Sequence, residues 1–108
     1  MEKRAEFEDV REVAAGSIGA SYSAVGAAAA APIRSFSVNN LTNAQVYISF
    51  DGANDKLRLA PNSYKIWDVS ANADNDREGY FLKAGEFFYI KQVSGAPTTG
   101  DVWIEVLT

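Results

Sequence analysis

The chain has 108 residues, of which 47% are hydrophobic and 22% charged, and its formal net charge at pH 7 is −4. This length suits a single domain. Histidine and cysteine are both absent, which excludes disulfides, thiolate nucleophiles, Ser–His or Cys–His pairs and standard zinc sites. Fourteen acidic residues against ten basic ones argue against nucleic-acid binding. No apolar run approaches the roughly 20 residues that span a bilayer, so we expect no membrane partner.

The N-terminus does not have the pattern of an export signal. Acidic residues, Glu6 and Glu8 among them, stand where a signal peptide needs an apolar stretch. We therefore expect synthesis and retention in the cytoplasm, which the lack of cysteine suits. Asn40-Leu41-Thr42 matches the N-glycosylation pattern, but without secretion we interpret it as turn chemistry.

The first 31 residues differ in composition from the rest of the chain. They are rich in alanine and glycine, contain few large side chains and end at Pro32. Apolar residues recurring three apart predict a helix over Glu2–Val13, and the alternation over Ile18–Val25 predicts an extended strand. We interpret residues 1–31 as an N-terminal arm and residues 32–108 as a β-sandwich domain.

From Ile33 onward, short runs of β-forming residues alternate with turn dipeptides such as Asp51-Gly52. About seven strands at spacings of roughly 8–12 residues predict an all-β, antiparallel sandwich or barrel. The predicted strands are Ile33–Val38, Gln45–Phe50, Leu57–Leu59, Ser63–Val69, Tyr80–Leu82, Glu86–Val93 and Asp101–Leu107.

Alternation within these strands predicts which residues face the core. The core-facing set is Val46, Ile48, Phe50, Phe88, Ile90, Val102, Ile104 and Val106. The opposite faces also carry large apolar residues, namely Tyr47, Phe87, Tyr89, Trp103 and Leu107. Either other parts of the same chain cover these side chains, or they form a protein–protein surface, where Tyr and Trp are enriched.

No catalytic, cofactor or metal site is predicted. Asp74–Gly79 resembles the opening of a calcium loop, but Gly85 stands where such a loop needs a bidentate glutamate, so a solvated loop is the default interpretation. Gly16–Gly19 lacks the lysine and the strand–helix setting of a phosphate loop. The lysines are too scattered among the aromatic residues to favour single-stranded nucleic acid.

Several segments resemble small virion proteins of tailed bacteriophages, over roughly residues 12–107. The most specific one is the strand Val46–Phe50 closing on Asp51-Gly52. The others include Ala15–Gly19, Val38–Thr42, Leu59–Ser63, Asp68–Ser70 and Gly100–Val106. The resemblance implies a β-sandwich or jelly-roll accessory protein of the head, neck or tail, with neither enzymatic activity nor cofactors.

These observations lead to the hypothesis of a non-enzymatic virion subunit, synthesised in the host cytoplasm, that acts in the head–neck–tail machinery. The extended arm would add a strand to a neighbour's sheet edge. Expected partners are the portal, tail or major capsid protein and further copies of the chain in a symmetric homo-oligomer, not nucleic acid or a membrane. The predicted interface residues are Phe7, Val10, Val13, Ile18, Tyr22, Val25, Tyr47, Tyr89 and Trp103.

Three alternatives stay open. The chain could be a capsid cement or decoration protein. It could instead be a carbohydrate-binding module on the virion, with Tyr47, Trp67, Tyr89 or Trp103 as a stacking platform. The third alternative is a small accessory domain of an enzyme.

Overall fold

The computed structural model describes residues 6–68 and 84–108. In these ranges the chain forms eight strands and one turn of 3-10 helix, Ala15–Ser17. The strands are β1 Arg11–Ala14, β2 Ser23–Val25, β3 Ser35–Asn40, β4 Val46–Ser49, β5 Leu57–Leu59, β6 Ser63–Asp68, β7 Phe88–Gln92 and β8 Asp101–Leu107. The all-β prediction is confirmed. The predicted strand Tyr80–Leu82 and the calcium-like segment Asp74–Gly79 lie outside the described residues.

The strands form two antiparallel four-stranded sheets. Sheet A has the order β1-β8-β3-β6 and sheet B the order β2-β7-β4-β5. Strand β1 contacts β2, and β5 contacts β6, so the outermost strands of the two sheets meet on the same two sides of the molecule. One side is therefore formed by β1 and β2 and the other by β5 and β6.

The inward faces of both sheets contribute to one hydrophobic core. Val38 and Ile104 of sheet A and Ile48 and Ile90 of sheet B are each 0% exposed. Phe36 of sheet A lies with its ring centroid 5.4 Å from that of Phe88 in sheet B, which ties the two layers together. The predicted core faces are confirmed: seven of the eight predicted core residues are buried, and Phe50 is partly buried against the same cluster. Full burial of each such side chain stabilises the fold by roughly 1.5–3 kcal/mol.

The leading segment is part of the two sheets. Strand β1 pairs with β8 and β2 pairs with β7, and Ala29 from the alanine run is buried in the core. The helix predicted over Glu2–Val13 is wrong for its described portion, since Phe7 bridges to Leu107 and β1 begins at Arg11. Backbone bonding to β8 satisfies these peptide groups better than a short, marginal helix would. Residues 6–31 therefore do not stand apart as an arm.

A buried arginine fastens this segment to the core. Arg11 is 5% exposed, and its Nε and Nη2 donate hydrogen bonds to the Ala27 carbonyl over 3.2 and 3.1 Å. Its guanidinium carbon lies 5.7 Å from the Phe88 ring centroid, and Nη2 also donates to Glu8 Oε1 over 2.8 Å. Gly26 has φ +72°, and a Cβ there would lie 2.7 Å from Arg11 Cγ, so this turn needs glycine for both reasons.

A buried polar network closes the turn after β3. Asn40 Nδ2 donates to the carbonyls of Ala44 and Ala60 over 2.9 and 3.0 Å. Its Oδ1 accepts from the backbone N–H and the hydroxyl of Thr42 over 3.1 and 2.6 Å. The interpretation of Asn40-Leu41-Thr42 as turn chemistry agrees with this geometry, because a 0% exposed amide with both ends engaged has no room for a glycan.

Candidate functional site

Three of the predicted interface residues face the chain's own core. Ile18 and Val25 are 3% and 1% exposed and belong to the central cluster, and Val13 packs against that cluster. The prediction that these side chains contact another protein is therefore corrected: in this fold their partners are the inner faces of sheets A and B. Of the glycines around them, Gly26 lies close to Arg11, whereas Gly16 and Gly19 have open space around them.

Two predicted interface residues are strongly exposed beside β1. Phe7 and Val10 are 81% and 50% exposed. They line a groove of about 570 Å³ between residues 6–12 and residues 26–31. The carboxylates lining this groove belong to Glu6, Glu8, Asp9 and Glu12. We call residues 6–12 the acidic edge, because the cation lining the groove, Arg11, is already paired with Glu8.

Two predicted tyrosines meet on the outer face of sheet B, around a lysine. Lys91 Nζ lies 4.8 Å from the Tyr22 ring centroid and 5.6 Å from that of Tyr47. The same ammonium is 3.4 Å from Asp55 Oδ1, to which the Tyr22 hydroxyl donates a hydrogen bond. This packing brings β2, β4 and β7 together with the Asp55 loop.

The ionisation of this cluster follows from its contacts. Burial raises the pKa of Tyr22 well above its usual range, and the bond to the Asp55 carboxylate raises it further. The same bond lowers the pKa of Asp55, with a further contribution from Lys91. The Tyr22 phenol therefore stays neutral and the Asp55 carboxylate stays charged, and both find their partners within the chain.

Tyr89, also predicted at the interface, covers the turn after β4. A Cβ built on Gly52 would lie 3.4 Å from the Tyr89 ring, and the Phe87 ring centroid is 5.9 Å away. Beneath it, the Asp51 carboxylate accepts hydrogen bonds from the backbone of Asn54 and Ala53. These bonds hold the pKa of Asp51 well below its usual range. The Tyr89 ring of β7 thus packs against the turn at Gly52 within the same chain.

The outer face of sheet A carries the last predicted interface residue and two exposed residues that the sequence did not single out. Trp103 is half-buried opposite Asn39 of β3. On β6, Tyr64 and Ile66 are 66% and 67% exposed, and Ile66 and Phe7 line a hollow of about 220 Å³ on this face. Strand β6 has large residues on both faces, so alternation alone does not say which are buried.

A second groove, of about 530 Å³, lies on the side of the molecule formed by β5 and β6. Its charged lining residues are Lys56, Arg58 and Lys65, with the exposed Tyr64 beside them. We call Lys56, Arg58, Lys65 and the exposed β6 residues Tyr64 and Ile66 the basic edge. Sequence analysis missed it, although Lys56 and Arg58 lie only two residues apart, at the start of β5.

The four aromatic residues of the carbohydrate alternative do not share a platform. Tyr47 and Tyr89 lie on the outer face of sheet B and Trp103 on that of sheet A. Trp67 faces inward, where its ring is stacked on that of Phe36 with centroids 5.3 Å apart. No sugar could contact all four at once.

Comparison with protein-family models, with curated proteins and with solved structures finds no match to this chain. In the part of the chain that the structure describes, no helix has the length and apolar character needed to cross a membrane. Within residues 6–68 and 84–108, no group of three or more acidic residues is placed to hold a metal ion.

Proposed function

We propose that this protein is a non-enzymatic structural subunit of a tailed-bacteriophage virion. It is synthesised in the host cytoplasm and assembles in the head–neck–tail machinery, as a homo-oligomer next to portal, tail or capsid proteins. The proposal rests on the resemblance described above together with the order of the strands and the two exposed edges.

The strand order is the observation that carries the proposal. Sheets with the orders β1-β8-β3-β6 and β2-β7-β4-β5 are what two Greek keys of an eight-stranded jelly roll produce when they fold over each other. We therefore propose a jelly-roll fold, an architecture that viral capsid proteins use. Lectins and cupins also use it, so the function must be argued from the surface.

The surface favours assembly through the acidic edge. Among the described residues of the N-terminal segment, Phe7 and Val10 are the large apolar side chains that remain exposed. Leaving them in water forgoes stabilisation that a neighbouring subunit would provide. We therefore assign the contact with neighbouring subunits, which the sequence predicts for residues 1–31, to residues 6–10. Residues 11–31 are needed for sheets A and B.

The test follows a tagged copy of the chain through particle assembly. Wild-type protein is expected in density-gradient fractions with intact particles, and F7S/V10S is expected to stay in the soluble fraction while keeping a wild-type circular dichroism spectrum. Leu41, which is 53% exposed away from this edge, provides the matched control: L41S should incorporate normally. Absence of the wild-type chain from particles refutes the proposal, and normal incorporation of F7S/V10S refutes the role of residues 6–10.

The same fractions separate the proposal from the cement-protein alternative. A neck or tail component is expected in isolated tails or in the vertex complex, whereas a capsid cement protein is expected on heads, in proportion to the major capsid protein. For the carbohydrate alternative, we expect the fluorescence of Trp67 and Trp103 to stay constant across a broad glycan panel. A saturable change with one glycan would instead favour a binding module.

A further inference from the structure

We propose that copies of this chain associate head to tail, with the acidic edge of one copy docked on the basic edge of the next. This inference deepens the proposed function, because the homo-oligomeric assembly in that function rests on such a contact. The contact itself is a property of the isolated chain and can be measured without any particle.

The strands that carry the two edges lie at opposite ends of sheet A in the described part of the chain. The exposed Phe7 and Ile66 side chains line one hollow on its outer face, together with residues of β8 and β3, the strands between them. Strand β1 ends sheet A on one side and β6 ends it on the other. Sheet B follows the same arrangement, since β2 lies beside β1 and β5 lies beside β6. A surface on the β1 side that binds a surface on the β6 side therefore joins successive copies in the same direction.

The charges of the two edges are complementary. In the described part of the chain the side-chain ion pairs are Glu8–Arg11 and Lys91–Asp55. The remaining acidic-edge carboxylates, Glu6, Asp9 and Glu12, thus have no cation from the described residues. The cations Lys56, Arg58 and Lys65 likewise have no carboxylate from the described residues. In the proposed contact, three carboxylates of one copy therefore meet three cations of the next, each without an ion-pair partner among the described residues.

Each edge also carries two exposed large apolar side chains. They are Phe7 and Val10 at the acidic edge and Tyr64 and Ile66 at the basic edge, all between 50% and 81% exposed. These four are most of the large hydrophobic residues that the described chain leaves exposed. An interface with an apolar centre and a rim of opposite charges is the usual anatomy of specific protein contacts.

Strand geometry gives the contact a backbone component. Among the described residues, β1 and β6 are the outermost strands of sheet A, so within those residues each has one side whose N–H and C=O groups pair with no neighbouring strand. Placing β1 of one copy along β6 of the next continues sheet A across the boundary by strand addition. The interface is then heterologous, and its repetition gives a closed ring or an open filament according to the rotation between copies.

Sedimentation velocity of the full chain at 0.1 M and 1 M NaCl gives the first measurement. Concentration-dependent association is expected at the lower salt. The association constant should fall at least about tenfold at the higher salt, because the screening length shrinks from about 10 Å to about 3 Å. A chain that stays monomeric at every concentration at 0.1 M overturns the inference, as does association that salt leaves unchanged.

Charge reversal then tests the direction of the contact. Neither K56E/R58E nor D9K/E12K should associate alone, because both edges of the first variant are acidic and both edges of the second are basic. An equimolar mixture should associate, since one variant supplies only acidic edges and the other only basic ones. Self-association of either variant at wild-type strength overturns the inference, and so does a mixture that stays monomeric while both variants are folded.

A matched pair of single variants controls for net charge. Glu12→Lys and Asp101→Lys change the net charge equally. Asp101 begins the inner strand β8 and lines neither of the two grooves nor the hollow beside Phe7 and Ile66. Association should weaken at least about tenfold in E12K and stay near wild type in D101K. Equal weakening in both would overturn the assignment to the edges.

The failure of this inference is distinguishable from the failure of the proposed function. A monomeric chain that is present in purified particles leaves the virion role intact and removes the head-to-tail contact. A chain that associates head to tail but is absent from particles refutes the virion role and leaves the head-to-tail contact intact.

Discussion

The ion pair between Glu8 and Arg11 should decide whether the N-terminal segment stays on the sheets, and Glu8→Ala tests this directly. Glu8 Oε1 lies 2.8 Å from Arg11 Nη2, with the two side chains 15% and 5% exposed. The other Glu8 oxygen accepts the Ala30 N–H over 3.0 Å. One carboxylate thus neutralises a buried cation and holds the alanine run beside β1.

The expected cost follows from leaving Arg11 charged and buried. Removing one partner of a buried pair typically costs about 3–5 kcal/mol. Because Glu8 retains some contact with solvent, we take the lower end, about 3 kcal/mol of unfolding free energy. For a domain of this size that corresponds to a melting temperature lowered by roughly 10–15 °C. Such a loss is a large share of a typical total stability of about 5–15 kcal/mol.

A double-mutant cycle measured by urea unfolding separates this pair from packing. The variants are E8A, R11M and E8A/R11M. Arg11 Nη1 is buried without a hydrogen-bond partner in the described structure, and methionine removes both this orphan donor and the charge while keeping an apolar chain over Phe88. We expect E8A/R11M to lose less stability than the two single losses combined, with a coupling of about 1–3 kcal/mol. An E8A chain within about 1 kcal/mol of wild type, or strictly additive losses, would refute the reasoning.

Three further predictions concern turns. In a urea titration, Gly100→Ala should lower the unfolding free energy by at least about 2 kcal/mol, because φ is +85° and a Cβ would lie 2.0 Å from a backbone oxygen. The control is Gly95→Ala, which should leave the unfolding free energy unchanged because the space around Gly95 is open. Asn40→Ala should cost about 2–3 kcal/mol by leaving buried carbonyls unpaired, whereas Asn39→Ala, on the half-buried outer face, should change little. Asp51, whose pKa is lowered by backbone hydrogen bonds, contributes stability above pH ~4 that is lost as the pH falls below it. Asp51→Asn should therefore flatten the acid limb of the stability–pH curve, and an unchanged limb would contradict this.

The sheets could be predicted from the sequence because their signal is local. Alternation within Val46–Phe50 and Val102–Val106 places one set of side chains on one face whatever the strand pairs with. The turn at Asp51-Gly52 is equally local, since it depends on a positive φ at Gly52 and on side-chain bonds within a few residues. Strand identity and burial therefore agreed with the structure in this part of the chain.

The N-terminal segment could not be predicted because its partners are distant in sequence. Strand β1 pairs with β8, so Arg11 lies opposite Ile104, and nothing within a short window indicates such a neighbour. Burial in this segment was obscured as well. Ile18 and Val25 stand among small residues that give no strong pattern, and Arg11 is a residue type that is rarely buried unless paired.

The basic edge was missed for a related reason. Arg58 comes from β5 of sheet B, Lys56 immediately precedes that strand and Lys65 comes from β6 of sheet A, so only the approach of two sheets brings them into one groove. Along the sequence the same residues look like cations scattered through an acidic chain. The net charge of −4 is a sum over the whole chain, so it does not show that acidic and basic residues lie on different parts of the surface.

Segregated charge also decides which edges can meet. An exposed edge strand is an aggregation hazard, and charged residues normally blunt it. Here each edge has one sign of charge, so two acidic edges repel one another, as do two basic edges, and a two-fold symmetric contact through either edge is disfavoured. The head-to-tail contact proposed above joins unlike edges, so its direction would follow from the charges of a single chain. Under that proposal each copy presents the edge that the next copy binds, and the rotation between copies decides whether the assembly closes into a ring or extends into a filament.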